Sequence, residues 1–230
     1  MDIIDKAIKE GRATLSEFEA KQLLTAYRIP VTREKLVENK DKLLKVAASI
    51  GYPLVLKGCS AKITHKTEKG LIHLDIRNDD EALSAFQEIT LSMKPDKASV
   101  LVQEMVRGKR ELTAGLIRDA QFGPCVMFGL GGIFTEILRD TSFRIAPLGK
   151  SDALEMMLEI RGHKILTAVR GLEAVELDLL ADILINLGRL ALAHEQVKEI
   201  DINPIIISGS RPVVADALII VDQIKKKDKK

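Results

Sequence analysis

Strand-like and helix-like stretches follow one another irregularly along this chain, and that order is its strongest constraint on fold. "VTREKLV", "YPLVLKG" and "LIHLDI" read as strands, from alternation or as short apolar runs. "TLSEFEAKQLLTAYRI", "NKDKLLKVAASIG" and "NDDEALSAFQEITLSMK" read as helices; Ser16 with Glu19 makes a capping box for the first, and Pro30, Gly51 and Pro95 stop the three. Further on, "SVLVQEMV" and "ELTAGLIRD" are strands joined by "RGKR", and "CVMFGLGG" follows the turn "QFGP". "SDALEMMLEI", capped by Ser151, and roughly residues 174–194 are helices; "EIDINPIIIS" and "RPVVADALIIV" are two final strands joined by "SGS". A doubly wound parallel sheet needs regular βαβ units, which this order lacks. The predicted fold class is therefore α/β in the form of α+β layers, in two clusters, residues 1–96 and 97–230. A cleft between two such layers is a common ligand site.

Composition narrows the function. With 230 residues and 46% hydrophobic content, the chain can bury one large core or two smaller ones. Its net charge is +2 and only 3% of residues are aromatic, which leaves neither the electrostatic footprint nor the stacking platforms of a nucleic-acid binder. Two cysteines, Cys59 and Cys125, without a CxxC pattern, fit a reducing, cytoplasmic setting. The N-terminus lacks a signal peptide's apolar core, and no apolar run approaches the ~20 residues of a membrane span. The nearest, "LDLLADILINLGRLALAH", is interrupted by Asp182, Asn186 and Arg189 and reads as a buried helix.

Four places carry chemistry. "GCSAKITHKTEKG", between two strand-like runs, surrounds His65 with Lys62, Lys66, Lys69 and Glu68. The lysines favour a neutral, nucleophilic imidazole, and Glu68 could orient it. Lys57 ends "PLVLK", as a phosphate contact or a snorkelling surface lysine. "GLGG" puts glycines at 129, 131 and 132, either to bring backbone amides near an anion or to make a tight turn. "EIDINP" sets Glu199, Asp201 and Asn203 on one strand face, with Ile200 and Ile202 on the other. Asp216 on the following hairpin could come near Asn203, and such oxygen donors suit magnesium beside a nucleotide phosphate better than they suit a bare strand face. Glu104 and Glu111 could accept from a ribose hydroxyl or an adenine amine, or pair with Lys109 or Arg110.

Together "LSEFEAKQLLTAYRIPV", "YPLVLKGCSAKITHKTEKG", "LVQEMVRGKRELTAGLIRDAQFGPCVMFGLGGIFTEILRDTSFRIAPL" and "EIDINPIIISGSRPVVADA" resemble the ATP-grasp β subunit of ADP-forming acetyl-CoA synthetase, over roughly residues 12–222. The resemblance implies an ATP-grasp fold of two α+β subdomains with a nucleotide cleft between them. It implies conversion of acyl-CoA, ADP and phosphate to free acid, CoA and ATP. A CoA-binding α subunit would be the partner, in a hetero-oligomer of the heterotetramer type. Phosphate would pass from the partner's histidine to His65 and then to ADP. Lys57, Glu104, Glu111, Gly131 and Gly132 would serve the nucleotide or the docking loop, and Asp201, Asn203 and Asp216 would hold magnesium. The loop "GCSAKITHKTEKG" departs from the glycine-rich phosphate loop of the related succinyl-CoA synthetases, which favours the two-histidine route. Two other readings stay open: a non-catalytic ATP-grasp regulatory module of a larger protein, and a stand-alone ATP-dependent carboxylate ligase.

Overall fold

The computed structural model describes residues 3–60, 70–93, 99–132, 140–169 and 171–222. Contacts divide the chain into two units. One comprises Met1–Leu15, Glu19–Val31 and Arg107–Lys230, the other Ser16–Phe18 and Thr32–Val106. The boundary therefore differs from the division expected at residues 96 and 97. Helices α1 (Ile3–Lys9) and α2 (Glu17–Ala26) bury Ile4, Ala7, Leu23 and Leu24 in the same core as the chain's last strands. That long-range packing leaves no local trace in the sequence.

The unit spanning Thr32–Val106 is a four-stranded antiparallel sheet with two helices. Its elements in chain order are β1 (Glu34–Val37), α3 (Lys40–Ile50), β2 (Leu54–Cys59), β3 (Ile72–Ile76), α4 (Asp79–Ser92) and β4 (Ser99–Glu104), and the sheet order is β1-β4-β2-β3. Asn39 and Asn78 cap the helices, accepting from the Lys42 and Glu81 N–H groups, each at 2.9 Å. Gly51 ends α3 at φ +89, where a side chain would be strained. Alternation along β2 sends Leu54 and Leu56 into a core with Val100, Val102, Ala47, Phe86 and Ile89. Val55, Lys57 and Cys59, on the opposite face, are buried as well.

The larger unit holds β5 (Glu111–Asp119), β6 (Gly123–Leu130), β7 (Thr141–Ile145), α5 (Lys150–Glu159), a 3-10 turn (His163–Leu166), α6 (Leu177–Ala193), β8 (Val197–Ser208), β9 (Arg211–Val214) and β10 (Ala217–Val221). The sheet runs β10-β8-β5-β6-β7, with β9 also paired to β8. One face buries Leu116, Val126, Phe128, Ile200 and Ile202 in a core that includes Ile183, Leu184 and Leu187 of α6. Each such side chain contributes about 1.5–3 kcal/mol when fully buried. "RPVVADALIIV" is two strands rather than one. β8 pairs with β9 as far as Ile205↔Val214 and resumes with β10 at Ile202↔Ala217, leaving Asp216 in the break. Ser151 is not the cap of α5. Gly149 is, and its N–H donates to Asp152 Oδ2 at 2.7 Å, because an acid placed three residues into the helix can reach back.

Two arginines lock the larger unit. Arg110 is 5% exposed and donates to the carbonyls of Ile165, Thr167, Glu173 and Gly209 at 2.7–3.4 Å. Arg118 donates to the carbonyls of Ala191, His194 and Val197, closing the C-terminal end of α6. Among the described residues, no helix is long and apolar enough to cross a membrane.

Candidate functional site

The oxygen-rich face of β8 lies where its alternation predicts. Ile200 and Ile202 are 2% and 0% exposed, and Glu199, Asp201 and Asn203 face solvent. Gly115 of β5 stands directly across from Asp201. Asp216 lies in the gap between β9 and β10, alongside Asn203 and Pro204, where the Ala215 N–H reaches the Pro204 carbonyl at 3.0 Å. Its Oδ1 accepts the Ala217 N–H at 2.8 Å, which fixes the carboxylate. Although Asp201 keeps solvent contact, its carboxyl is partly desolvated by its surroundings, and that first, then the negative charges of Asp216 and Glu199, holds it above the ordinary aspartate value. A cation would relieve that repulsion, and two carboxylates with an amide oxygen are hard donors of the kind magnesium takes. Among the described residues, no three His, Cys, Asp or Glu side chains cluster closely enough to enclose a metal by themselves. A metal here would also draw on Asn203 and on oxygens from outside the chain.

Glu111, Gly131 and Gly132 come together at the start of β5. The Gly131 N–H donates to the Glu111 carbonyl at 2.9 Å. A Cβ on Gly131 would lie 2.7 Å from the Leu112 backbone, and one on Gly132, at φ +61, would lie 2.5 Å from Glu111 Oε2. Close backbone approach therefore requires glycine at 131, and the left-handed conformation favours it at 132. Asp140, which follows the undescribed residues 133–139, accepts the N–H groups of Arg161 and Gly162 at 2.8 and 2.7 Å. Burial pushes its carboxyl up, but those two bonds and the Arg161 charge outweigh it and hold it below the ordinary value.

The other two nucleotide candidates sit in the smaller unit. Lys57 is not a snorkelling surface lysine. Its side chain is 7% exposed, and Nζ donates to Glu17 Oε1 at 2.6 Å, with the Glu17 side chain 1% exposed. Glu104 pairs with neither Lys109 nor Arg110. It accepts the Arg33 N–H at 2.8 Å and Arg33 Nε at 2.6 Å. The sheet register places Glu104 opposite Leu54, and Lys57 opposite Leu101. Glu17 and Arg33 are the participants that motif spacing misses, since they lie 40 and 71 residues from their partners. His65, with Lys62, Lys66, Glu68 and Lys69, lies outside the described residues. His73 faces Glu88 at 3.7 Å from β3, and His194 bonds Tyr27 Oη at 3.0 Å at the end of α6, both consistent with structural roles.

Residues 6–221 match the ATP-grasp domain family. The β subunit of ADP-forming acetate–CoA ligase I from Pyrococcus furiosus is 46% identical over 225 residues, covering 96% of this chain and 97% of its own. ADP-forming acetate–CoA ligase I from Archaeoglobus fulgidus is 37% identical over 226 residues, covering 96% of this chain but 33% of that longer protein. Among solved structures, the dinucleotide-forming acetyl-coenzyme A synthetase 1 of Ca. Korarchaeum cryptofilum, in complex with coenzyme A, Ca-AMPCP and HgCl+, aligns with a TM-score of 0.91 at 40% identity, covering 96% of this chain and 99% of that one. In another structure of that enzyme, at TM-score 0.87 and 40% identity over the same shares of both chains, with coenzyme A and Mg-AMPPCP, the phosphohistidine segment points towards the nucleotide binding site. This chain belongs to the ATP-grasp family and, within it, to the β subunits of ADP-forming acetate–CoA ligases.

Proposed function

We propose that this chain is the nucleotide-binding subunit of an ADP-forming acyl-CoA synthetase, with acetyl-CoA as the reference substrate, and that it carries phosphate on His65 between a partner subunit and ADP. The observation that carries the reading is the crowded face of Asp201, Asn203 and Asp216, on a chain of ATP-grasp fold. Bound there, magnesium would neutralise charge on the nucleotide phosphates. Asp201 and Asp216 would hold it, with Asn203 adding a neutral oxygen. Lys57 and Glu104 would bind the nucleotide, and Glu111 with Gly131 and Gly132 would shape the place where phosphate is handed over. In the direction of ATP synthesis, a nitrogen of His65 takes the phosphoryl group from the partner's phosphohistidine, and a β-phosphate oxygen of ADP then takes it from His65. Each step breaks one bond to phosphorus and forms another. A CoA-binding partner is the reading supported by the Archaeoglobus relative, an ADP-forming acetate–CoA ligase of which this chain covers one third.

Phosphohistidine is acid-labile and base-stable. Incubation with radiolabelled ATP and magnesium should therefore label the chain in an acid-labile form. The label should disappear in His65→Ala and persist in His73→Ala. A His65→Ala complex with the partner that still makes ATP at near the wild-type rate would show direct transfer and refute the relay.

A further inference from the structure

Lys57 and Glu17 form a desolvated ion pair that the proposed reaction does not use as it stands. Nζ and Oε1 are 2.6 Å apart, with side-chain exposures of 7% and 1%. Each group alone would be expensive to bury, and the pairing offsets part of that cost. A nucleotide phosphate arriving at Lys57 would bring a second anion to an ammonium already neutralised at contact distance. Two anions sharing one buried cation repel each other strongly at the low effective dielectric of such a site. Glu17 is also the first residue of α2. A carboxylate released from Lys57 there has a second home, beside the N–H groups that the first helical turn leaves without helix partners.

We propose that Glu17 is the resident counter-ion of Lys57, exchanged for phosphate when nucleotide binds and restored when nucleotide leaves. This rests on the reading of Lys57 as a phosphate contact. Glu17 acts through Lys57 and is a positioning residue. In the nucleotide-free chain it holds the ammonium in place. On binding, breaking the pair subtracts from the affinity that Lys57 supplies, as any displaced state does. On release, Glu17 recaptures the ammonium and helps the phosphate depart. The exchange makes and breaks no covalent bond.

The test measures magnesium–ADP affinity by calorimetry on the full chain, together with the melting temperature with and without ADP. Glu17→Gln removes the competing charge but keeps an oxygen for Lys57. It should bind ADP about tenfold more tightly, melt lower than wild type without ADP, and regain the difference when ADP is added. A residue that only packs would lower the melting temperature with affinity unchanged or reduced, and that result overturns the proposal. If Glu17→Gln does not fold, Glu17→Asp decides the matter. Its shorter carboxylate holds Lys57 less well, so affinity should rise severalfold, and unchanged or weaker binding overturns the proposal. The double variant E17Q/K57M, which removes both charges of the pair, isolates the underlying reading. Its affinity should fall well below wild type, and wild-type binding there would refute Lys57 as a phosphate contact, whatever Glu17 does.

Discussion

Gly131→Ala separates a glycine required by packing from one required by ligand. A Cβ at Gly131 would sit 2.7 Å from the backbone carbon and oxygen of Leu112, and 2.8 Å from the backbone carbon of Glu111. These atoms belong to β5, which is held by β6 on one side and β8 on the other, so they cannot swing aside. Overpacking of this kind costs about 1–3 kcal/mol. Displacing Gly131 also weakens its 2.9 Å bond to the Glu111 carbonyl, worth about 1 kcal/mol. A total of about 3 kcal/mol should lower the melting temperature by roughly 6–12 °C in a chain of this size. Gly132→Ala is milder. Its nearest contact, at 2.5 Å, is the tip of the flexible Glu111 side chain, which can rotate away. What remains is the left-handed φ of +61, a cost of about 1–2 kcal/mol. Urea unfolding should therefore rank the two variants with Gly131→Ala the weaker. Calorimetry with magnesium–ADP should show Gly132→Ala losing more affinity relative to its stability loss, because it displaces the Glu111 carboxylate. A Gly131→Ala chain within about 0.5 kcal/mol of wild type would refute the packing argument.

Three further outcomes can be checked. Asp216→Asn keeps an oxygen for the Ala217 N–H but removes a charge beside Asp201; magnesium-dependent ADP binding should weaken at least tenfold, about 1.4 kcal/mol. Because the Asp201 carboxyl is raised in the fold, the stability linked to it is present at low pH and lost as pH rises through its titration. That loss should shrink in Asp216→Asn and when magnesium is added, as read by unfolding at a series of pH values. Asp140→Asn leaves the buried side chain one oxygen for two part-buried N–H donors and should cost about 1–3 kcal/mol at pH 7. The Asp140 carboxyl is lowered in the fold, so its contribution is present above the ordinary carboxylate range and lost as pH falls, and the variant's deficit should vanish in acid. Arg118→Met removes the donor to the Ala191, His194 and Val197 carbonyls, which tie the end of α6 to the start of β8; amide exchange in the last turn of that helix should speed up, and unchanged protection there would rule out the capping role.

Periodicity and turn chemistry exposed most of the elements. "EIDINP" showed its two faces because Ile200 and Ile202 alternate with Glu199, Asp201 and Asn203, and Gly51 marked the end of α3, whereas the caps Asn39 and Asn78 are findings of the structure. "VVADALIIV" looked continuous because β-branched and leucine side chains flank Asp216 on both sides; its break follows from a change of partner along β8, which a single segment cannot reveal. Lys57 was legible as a lysine ending an apolar strand, but its burial and its pairing with Glu17 are tertiary facts. Glu104 reads as an acid near basic neighbours, yet antiparallel pairing of β1 with β4 selects Arg33 instead. The placement of α1 and α2 in the larger core depends on contacts with residues some two hundred positions away, beyond any windowed pattern.

That placement has a consequence for how the protein is made. The Leu15 N–H bonds the Ile219 carbonyl at 3.0 Å, and the Val221 N–H bonds the Ala13 carbonyl at 2.8 Å. Ala13 and Leu15 thus find their partners only after β10 has been synthesised. Residues 32–106, by contrast, hold their whole sheet and both helices in one contiguous segment, which is complete while translation continues. The smaller unit is therefore poised to fold during synthesis, and the larger one only after it, through a loop closure of the greatest span the topology allows. In the interval Leu23 and Leu24, fully covered in the finished protein, have nothing to cover them. Until β10 is made these leucines stay open to non-native contacts, and for longer when synthesis is slow.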